Sequence, residues 1–455
     1  MSEVFSIKFR TFFSIIVSRS SLFILKTFFK SGTSLPGKLA LKLDPSILKY
    51  LSKHYNVIIV TGTNGKTTTS SMINEMLINS GIHSINNSSG ANMLTGIVTC
   101  FLENHSFFKE RASHAVIETD EAFLKIALDF ITPSHIVITN LFRDQLDRYG
   151  EIYTTFNYIM DGIKKAPVAR LILNADESLL GSLDMENPKI YYGFNFPPNE
   201  TESNEINLEL KYCKFCKTEY SYIFKTYNHL GKFYCPNCGY KRPDLSYSLD
   251  YIESMTSNES KIIISDKKYR LIQPGLYNIY NALAAYTVAK SLNLSEAAIT
   301  ETFSRQVSKF GRQEVFTIDD KVAKMILIKN PAGCDSVLDT LCLEKGDFSL
   351  IVLLNDNYAD GQDISWIWDS KFEKLTSLNI KEIIIGGKRL YDMGIRLKIA
   401  GFNQDMIKTC DSNENILKSL KECKTKKIYI LCTYTVMLSF RKFLYTKGYI
   451  KDLWR

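Results

Sequence analysis

The stretch VIIVTGTNGKTTTS, residues 57–70, decides the fold of this chain. Its first four residues form an apolar, β-branched run with the length of a buried parallel strand. A glycine-lysine-threonine turn follows, in which Gly62 and Gly65 let backbone N–H groups curl around an anion. Lys66 adds positive charge there, and the hydroxyl of Thr67 suits a divalent cation. Because a helix N-terminus also favours phosphate, the stretch predicts a nucleoside triphosphate site.

The general pattern for such a loop has a glycine six residues before the lysine, where this chain has Val60. The loop is therefore of the shorter TGTNGKT form. We expect Lys66 to be solvated without nucleotide, so that Lys66→Ala would stop ATP turnover without unfolding the protein. The residues expected to hold the nucleotide are consecutive: Thr63, Asn64, Gly65, Lys66, Thr67 and Thr68.

Length and composition limit the possible classes of protein. A chain of 455 residues with 45% hydrophobic residues can bury two or three cores. The formal charge of +8 suits an anionic substrate or an acidic membrane surface, and it does not by itself indicate nucleic acid. Ten cysteines without an export signal favour a reducing, cytoplasmic location.

The N-terminal region, residues 1–50, is basic and apolar. Arg10, Arg19, Lys26 and Lys30 interrupt its hydrophobic run, so no transmembrane span is predicted. We expect an amphipathic helix packed on the protein body. The alternative is a helix on the inner membrane surface.

The rest of the chain predicts two α/β units. Residues 114–121, 135–140 and 171–176 are strands with polar or acidic ends, and alternation with helices indicates a parallel sheet. A central ATP-binding domain is assigned to residues 51–315, with an insertion at 205–245. A smaller α/β domain is assigned to residues 316–455.

The insertion carries two CxxC pairs separated by 18 residues. Two intervening residues let both sulfurs of a pair point to one ion, and the spacing suits a structural zinc ribbon. A redox pair or two disulfides are the alternatives. The predicted zinc ligands are Cys213, Cys216, Cys235 and Cys238, and the other six cysteines are expected in cores.

Several segments together resemble the Mur ligase superfamily, which joins amines to carboxylates through an acyl phosphate made from ATP. These are the phosphate loop, the acidic strand ends, the helix GLYNIYNALAA and the segment GRQE. Within the superfamily, the run NDNYADGQDISWIWD at residues 355–369 is similar to the MurT family, the ligase-like subunits of lipid II isoglutaminyl synthase. The segments KNPAG and LPGKLALKLDP and the cysteine ribbon agree with that family.

The resemblance implies roles for particular residues. Thr67 and Glu118 would bind Mg²⁺, Asn278 and Asn281 would lie on the helix that meets the adenine, and Arg312 would reach the phosphates. Each has a simpler alternative. Glu118 could be a solvated strand end, Asn281 a helix cap, and Arg312 a surface ion pair.

Two departures separate the chain from amino-acid-adding Mur ligases. Those enzymes carry a histidine metal ligand where the segment RDQLDRYGE has Gln145, whose amide is a weaker ligand for Mg²⁺. They also use a carbamylated lysine about fifteen residues further on, a count that falls near Ile159. The register of the nearest lysines, Lys164 and Lys165, is doubtful, so the sequence leaves the presence of a second Mg²⁺ open.

The expected activity is ATP-dependent amidation of the D-isoglutamate α-carboxylate in the stem peptide of lipid II. None of the six remaining cysteines has the flanking glycines of a glutaminase nucleophile, so a separate class I glutaminase of the GatD type is implied. The alternatives are an amino-acid-adding or folylpolyglutamate synthase-like ligase, and an ATP-gated binding protein with a zinc ribbon.

Asp360 and Asp363 are the candidate catalytic residues of the C-terminal domain. Both lie in a short loop after a predicted strand, where Gly361 permits a sharp turn. One could orient substrate or ammonia within this subunit. Alternatively, one could act in trans, orienting the cysteine–histidine pair of the glutaminase.

Overall fold

The computed structural model describes residues 9–29, 34–87, 91–107, 112–143, 152–198, 210–305 and 312–451. In these ranges, the chain forms one nine-stranded sheet, one six-stranded sheet and a two-stranded sheet in the cysteine-rich insertion. Helices cover both faces of the two large sheets. None of the helices in these ranges is long and apolar enough to cross a membrane.

The strands are numbered in chain order. They are β1 (Asn56–Thr61), β2 (Ser84–Asn86), β3 (His114–Glu118), β4 (His135–Ile138), β5 (Arg170–Asn174), β6 (Lys189–Phe194), β7 (Ser221–Lys225), β8 (Gly231–Tyr234), β9 (Tyr247–Met255), β10 (Ser260–Ile264), β11 (Lys267–Leu271), β12 (Arg312–Ile318), β13 (Lys321–Leu327), β14 (Phe348–Leu353), β15 (Ile380–Gly386), β16 (Ile407–Cys410) and β17 (Lys427–Cys432).

The α-helices are numbered in the same way, and short 3₁₀ turns at Phe372–Ser377 and Gln404–Met406 complete the C-terminal domain. The helices are α1 (Phe9–Ile24), α2 (Leu35–Leu43), α3 (Ile47–Ser52), α4 (Lys66–Asn79), α5 (Leu94–Asn104), α6 (Glu121–Ala127), α7 (Ile152–Ile163), α8 (Ser178–Gly181), α9 (Leu276–Ser291), α10 (Glu296–Ser304), α11 (Pro331–Leu341), α12 (Trp366–Asp369), α13 (Leu390–Ile399), α14 (Asn413–Lys421) and α15 (Tyr434–Thr446).

The nine-stranded sheet has the order β11-β10-β9-β6-β5-β4-β1-β3-β2. Strand β1 lies between β3 and β4 and is parallel to both. Its side chains alternate between two cores, with Val57 and Ile59 in one and Ile58 and Val60 in the other. Because both faces of β1 are buried, its sequence is a continuous apolar run rather than an alternating one.

An antiparallel meander extends this otherwise parallel sheet. Strand β9 runs parallel to β6, and β10 and β11 then pair antiparallel at the sheet edge. Helices α4 and α9 pack together against one face of the sheet. The carboxyl ends of β1, β3 and β4 therefore meet at one edge, beside the N-terminus of α4.

The six-stranded sheet has the order β12-β13-β17-β14-β15-β16. Its strands are parallel except for the antiparallel pair β12 and β13. Strand β12 begins at Arg312, so the second sheet starts four residues before Phe316, where the sequence analysis places the domain boundary. The segment GRQE thus leads into the C-terminal sheet.

Candidate nucleotide, magnesium and zinc sites

The phosphate loop leaves the carboxyl end of β1 and turns twice through left-handed backbone. Gly62 has φ of 118° and Gly65 has φ of 85°, values that favour glycine. A Cβ atom on Gly65 would lie 2.0 Å from the side-chain oxygen of Asn281 on α9. The loop is therefore tightly packed against α9, and glycine is required at position 65 by both backbone conformation and space.

Lys66 is buried, and the expectation that it is solvated is wrong. Its ammonium donates to the carbonyl of Gly62 at 2.6 Å and to the carboxylate of Glu121 at 3.1 Å. Burial raises the pKa of Glu121, while the positive charges of Lys66 and Lys329 oppose that rise. The two side chains form a buried ion pair at the position where the loop would hold phosphate.

Thr67 and Glu118 lie together, as a shared magnesium site requires. The Thr67 hydroxyl donates to Glu118 at 2.6 Å, and the amide of Asn92 donates to the other Glu118 oxygen at 3.2 Å. A hydroxyl and a carboxylate are oxygen ligands of the kind that Mg²⁺ prefers, so these residues fit the ion. Glu118 is buried at the end of β3, which excludes the alternative of a solvated strand end.

Asn278 and Asn281 are both buried in α9. The amide of Asn281 donates to the side-chain oxygen of Asn278 at 3.3 Å, and the hydroxyl of Thr69 donates to Asn281. Asn281 lies inside the helix, which begins at Leu276, so it is not a helix cap. The structure places it against the phosphate loop, and its role toward the adenine stays a prediction.

The segment that follows β4 holds Thr63 and Asn64. The Thr63 hydroxyl donates to the carbonyl of Phe142, while the Phe142 amide donates back at 3.1 Å. The backbone N–H of Asn64 donates to the side chain of Asn140 at 2.9 Å. Thr68 is buried in the first turn of α4.

A contact from the C-terminal domain completes the loop. The side-chain amide of Asn330 donates to the side-chain oxygen of Asn64 at 3.2 Å. Asn330 also caps α11, accepting from the N–H of Gly333 at 2.8 Å. The segment KNPAG therefore brings a helix N-terminus and the charge of Lys329 to the phosphate loop.

For three other residues from the sequence analysis, the structure gives a position but no side-chain contact at the site, or the residue lies outside the described ranges. Arg312 begins β12, and its side chain lies outside the described residues, as does all of Gln145. Next to Arg312, the Gln313 amide donates to the Tyr277 hydroxyl of α9 at 2.7 Å. Ile159 is buried in α7.

Lys164 and Lys165 follow α7. Their ammonium groups bond surface acids, Lys164 to Asp161 at 3.3 Å and Lys165 to Asp129. Neither contact is with the phosphate loop.

The two candidate aspartates have different surroundings. Asp360 is buried and accepts from the backbone N–H and the hydroxyl of Thr435, at the start of α15, and from the N–H of Asn357. Asp363 is half-buried and accepts from the N–H of Ser365 at 2.8 Å. That bond lowers the pKa of Asp363, with a contribution from Arg143 of the central domain.

The four predicted zinc ligands form one cluster, with all Sγ atoms within 4.8 Å of one another. The Sγ atoms of Cys213 and Cys238 are 3.6 Å apart, and those of Cys216 and Cys235 are 3.3 Å apart. Tetrahedral Zn–S bonds of about 2.3 Å give sulfur separations of about 3.8 Å, so the cluster has the size of a zinc site.

The two knuckles have the same backbone design. Each ends in a left-handed residue after its second cysteine, Lys217 with φ of 63° and Gly239 with φ of 74°. In each, the N–H of that residue donates to the carbonyl of the first cysteine. Hydrogen bonds involving Thr218 lower the pKa of the Cys216 thiol to about 5, which favours the thiolate that binds metal.

Two buried polar contacts attach the ribbon to the central sheet. Arg242 donates to Asp176 at 2.7 Å, and His229 lies 2.7 Å from Glu177. Burial raises the pKa of Asp176, and Arg242 opposes that rise. Five of the remaining cysteines are buried as expected, but Cys342 is exposed.

Sequence reasoning missed three contacts of the nucleotide site. Glu121 belongs to the acidic run ETDE, and only its partner Lys66 distinguishes it from its neighbours. Asn92 lies in a glycine-containing segment without periodicity. The helix cap at Asn330 could have been predicted, because asparagine followed by proline is a common start of a helix.

The fold is that of the Mur ligases. A solved pseudomurein peptide ligase type C from Methanothermus fervidus superposes with a TM-score of 0.64 at 21% identity, covering 88% of this chain and 80% of that one. The model of the Mur ligase middle domain matches residues 60–239. That match includes the phosphate loop, Glu118 and the four cysteines.

The C-terminal half identifies the branch of the superfamily. Residues 327–437 match the model described as MurT ligase C-terminal. A lipid II isoglutaminyl synthase (glutamine-hydrolyzing) subunit MurT from Streptococcus pneumoniae is 42% identical over 97% of this chain and 98% of its own length. The corresponding subunit from Staphylococcus aureus is 39% identical over 82% of this chain and 84% of its own length. The chain belongs to the MurT family of the Mur ligase superfamily.

Proposed function

We propose that this chain is the ATP-using ligase subunit of a lipid II isoglutaminyl synthase. It would convert the D-isoglutamate α-carboxylate of the lipid II stem peptide to the amide. The observation that carries the proposal is the 42% identity to the Streptococcus pneumoniae subunit over nearly the full length of both chains. The grouping of Lys66, Thr67, Glu118 and Asn330 around one loop supports it.

The first step is activation of the substrate carboxylate. A carboxylate oxygen attacks the γ-phosphorus of ATP, the bond to the ADP oxygen breaks, and an acyl phosphate forms. Lys66 would exchange Glu121 for the phosphate oxygens and neutralise charge that develops on them. Thr67 and Glu118 would hold Mg²⁺, which supplies further charge stabilisation when bound.

The second step is amide formation. The nitrogen of ammonia attacks the acyl carbon, the carbon–oxygen bond to phosphate breaks, and the nitrogen loses a proton. The N-terminal end of α11, with Lys329, would stabilise the departing phosphate, because helix N-termini and lysines both attract anions. Asn330 would position that helix end through its bond to Asn64.

Ammonia would come from a separate GatD-type glutaminase subunit. Of the two candidate aspartates, Asp363 is the one accessible to a partner, since Asp360 is buried and already accepts bonds from Thr435 and Asn357. Asp363 would orient the catalytic histidine of the glutaminase in trans. Asp360 would fix the loop on which Asp363 lies.

Two aspartate variants test these roles. Asp363→Asn should reduce glutamine-dependent amidation by about 10⁴-fold, as loss of an orienting acid does in hydrolytic triads, while free ammonia restores turnover. Asp360→Asn should instead lower the melting temperature, because the amide cannot accept all the bonds of the carboxylate. Full glutamine-dependent activity of both variants would contradict the proposal, and a failure of ammonia to rescue Asp363→Asn would place that residue in the ligase step.

A face of the C-terminal domain suits the glutaminase subunit. Tyr391, Ile395 and Ile399 lie one turn apart on α13 and are all exposed, and Tyr358 in the aspartate loop is also exposed. Exposed aromatic and aliphatic groups on one helix side are typical of protein interfaces. Ile395→Asp should therefore abolish co-purification of the two subunits, whereas Val168→Asp, at an exposed site in the central domain, should not.

Mass spectrometry of the product tests the activity itself. Lipid II incubated with ATP, glutamine, this chain and the glutaminase should gain one amide and lose one carboxyl group. Without the glutaminase, free ammonia should replace glutamine. A substrate anchored in a bilayer would require the subunit to work at the inner membrane surface. Addition of an amino acid instead of ammonia would contradict the proposal and favour an ordinary Mur ligase.

A further inference from the structure

One side of helix α1 exposes large apolar side chains to solvent. Five large apolar side chains are exposed, and the least exposed, Ile16, still has 45% of its surface accessible. Because an α-helix turns by about 100° per residue, their positions share one side of the helix. They are Phe9, Phe13, Ile16, Phe23 and Ile24.

The opposite side of α1 faces the protein and carries hydroxyl groups together with the buried apolar side chains of Ile15 and Leu22. Thr11 donates to the carboxylate of Asp44 at 2.7 Å, and Ser14 donates to the carbonyl of Ala40 at 3.1 Å. Ser18 is also fully buried. Ile15 and Leu22 already anchor the helix to the body, so the five exposed apolar side chains exceed what packing requires and suit an apolar or interfacial occupant outside.

The sequence segment that contains α1 and α2 carries charge of one sign, although Glu103 of α5 pairs with Lys26. Between residues 4 and 43 the sequence has no aspartate or glutamate, and its cations are Lys8, Arg10, Arg19, Lys26, Lys30, Lys38 and Lys42. Arg10 and Arg19 flank the apolar side and are held in place by the carbonyls of Leu43 and His105. Lys38 and Lys42 are exposed on the neighbouring helix α2.

An apolar stripe bordered by cations fits a bilayer with anionic head groups. The apolar side chains would enter the boundary between head groups and acyl chains, and the lysines and arginines would meet lipid phosphates. A second protein copy would place like charges opposite each other, which disfavours self-association through this face.

Helix α1 is also connected, through α2 and α5, to the edge of the sheet that carries the candidate magnesium site. α2 packs against α5 so closely that a Cβ atom on Gly37 would lie 1.9 Å from the carbonyl oxygen of Thr95. α5 begins at Leu94, two residues after Asn92, which bonds the candidate magnesium ligand Glu118. A membrane surface bound by α1 would therefore be linked to the candidate magnesium site through the packed helices α2 and α5.

We propose that the outward side of α1 docks this subunit on an anionic membrane surface, so that a lipid-linked substrate meets the ligase site. The link to the substrate rests on the proposed function, and the docking itself rests on the residues of α1 and α2.

The experiment is sedimentation of the full-length chain, with its partner subunit, on vesicles of phosphatidylcholine with and without phosphatidylglycerol. We expect partitioning onto the phosphatidylglycerol vesicles that weakens at high salt. The double variant Phe13→Gln/Ile16→Gln should partition about tenfold less. The control Val168→Gln/Ile223→Gln removes two apolar groups elsewhere that are even more exposed, and it should bind like the wild type.

Three outcomes would overturn the docking proposal. They are no partitioning of the wild type, equal partitioning of the α1 variant, and a wild-type dimer in lipid-free solution that the α1 variant converts to a monomer. Amidation of a soluble stem peptide measures the proposed function separately. If the wild type and the α1 variant both amidate the soluble peptide but the wild type does not bind vesicles, only the docking inference is lost.

Discussion

The zinc ribbon and the phosphate loop are built from similar tight turns but depend on very different parts of the chain. In the ribbon, each knuckle closes on itself, with the N–H of Lys217 or Gly239 bonded to a cysteine four residues before it. In the phosphate loop, the bonding partners come from far away in the sequence, such as Glu121, Asn281 and Asn330.

The difference shows what each site requires. A site made from two knuckles, each with its own local turn, needs only its four cysteines and the ion, and the spacing in the sequence is a sufficient signal. A site assembled from β1, α6, α9 and the C-terminal domain depends on the whole fold. Substitutions in the ribbon should therefore have large effects that stay within the ribbon. Substitutions in the phosphate loop should affect both the stability of the protein and its catalytic rate.

Removal of zinc should have the largest effect. Zinc binding by four thiolates contributes about 10–16 kcal/mol to the folding of small zinc units. Chelation, or Cys213→Ser, should make the amides of residues 211–241 exchange rapidly while those of β1 to β6 stay protected, as hydrogen exchange would show. Cys342→Ser, at an exposed cysteine outside the cluster, is the control. Absence of zinc from the purified protein would remove the basis of this prediction.

Lys66→Ala should come next. Loss of a charge aimed at the transferred phosphoryl group should raise the barrier by about 3–4 kcal/mol, a few hundred-fold in turnover. Since Glu121 would then be buried without its partner, we also expect a loss of about 3–5 kcal/mol in the free energy of unfolding.

The second variant Lys66→Ala/Glu121→Gln separates these effects. It should recover most of the stability, measured by urea unfolding, without recovering turnover. A single variant as stable as the wild type would show that the buried pair contributes little. Near-normal amidation by a folded Lys66→Ala protein would place the nucleotide elsewhere.

Asn330→Ala should have the smallest effect of the three. It removes a helix cap, which costs about 1 kcal/mol, and the bond to Asn64. We expect a several-fold higher KM for ATP with little change in kcat. Ser412→Ala removes the cap of α14 in the same domain and should lower stability equally without changing KM. Equal KM values for both variants would mean that the contact between domains does not support the loop.

The local parts of both sites could be predicted from the sequence. The strand before the phosphate loop, the turn glycines and the cluster of four cysteines follow from spacing and residue type, which depend on a few neighbouring residues. The meander of β9 to β11 was not predicted, because its strands carry many polar and charged residues and two of the three have only five residues. Strand β12 begins at Arg312, four residues before the predicted start of the C-terminal domain, and includes Gln313 in left-handed backbone.

Burial of charged groups could not be predicted. Lys66 and Glu121 are separated by 55 residues, and no local pattern distinguishes a paired lysine from a solvated one. The same limit explains why Asp360 and Asp363 looked equivalent in the sequence. Asp360 is buried where it bonds Thr435, 75 residues away, whereas Asp363 stays accessible.

The contact between Gly65 and Asn281 also constrains how this family of sequences can change. A side chain at position 65 would collide with Asn281, and removing Asn281 would leave a gap beside the loop. Neither position can vary independently, because the effects of substitutions in direct contact are not additive. The two positions should therefore co-vary or stay fixed together among relatives, although 216 residues separate them in the chain.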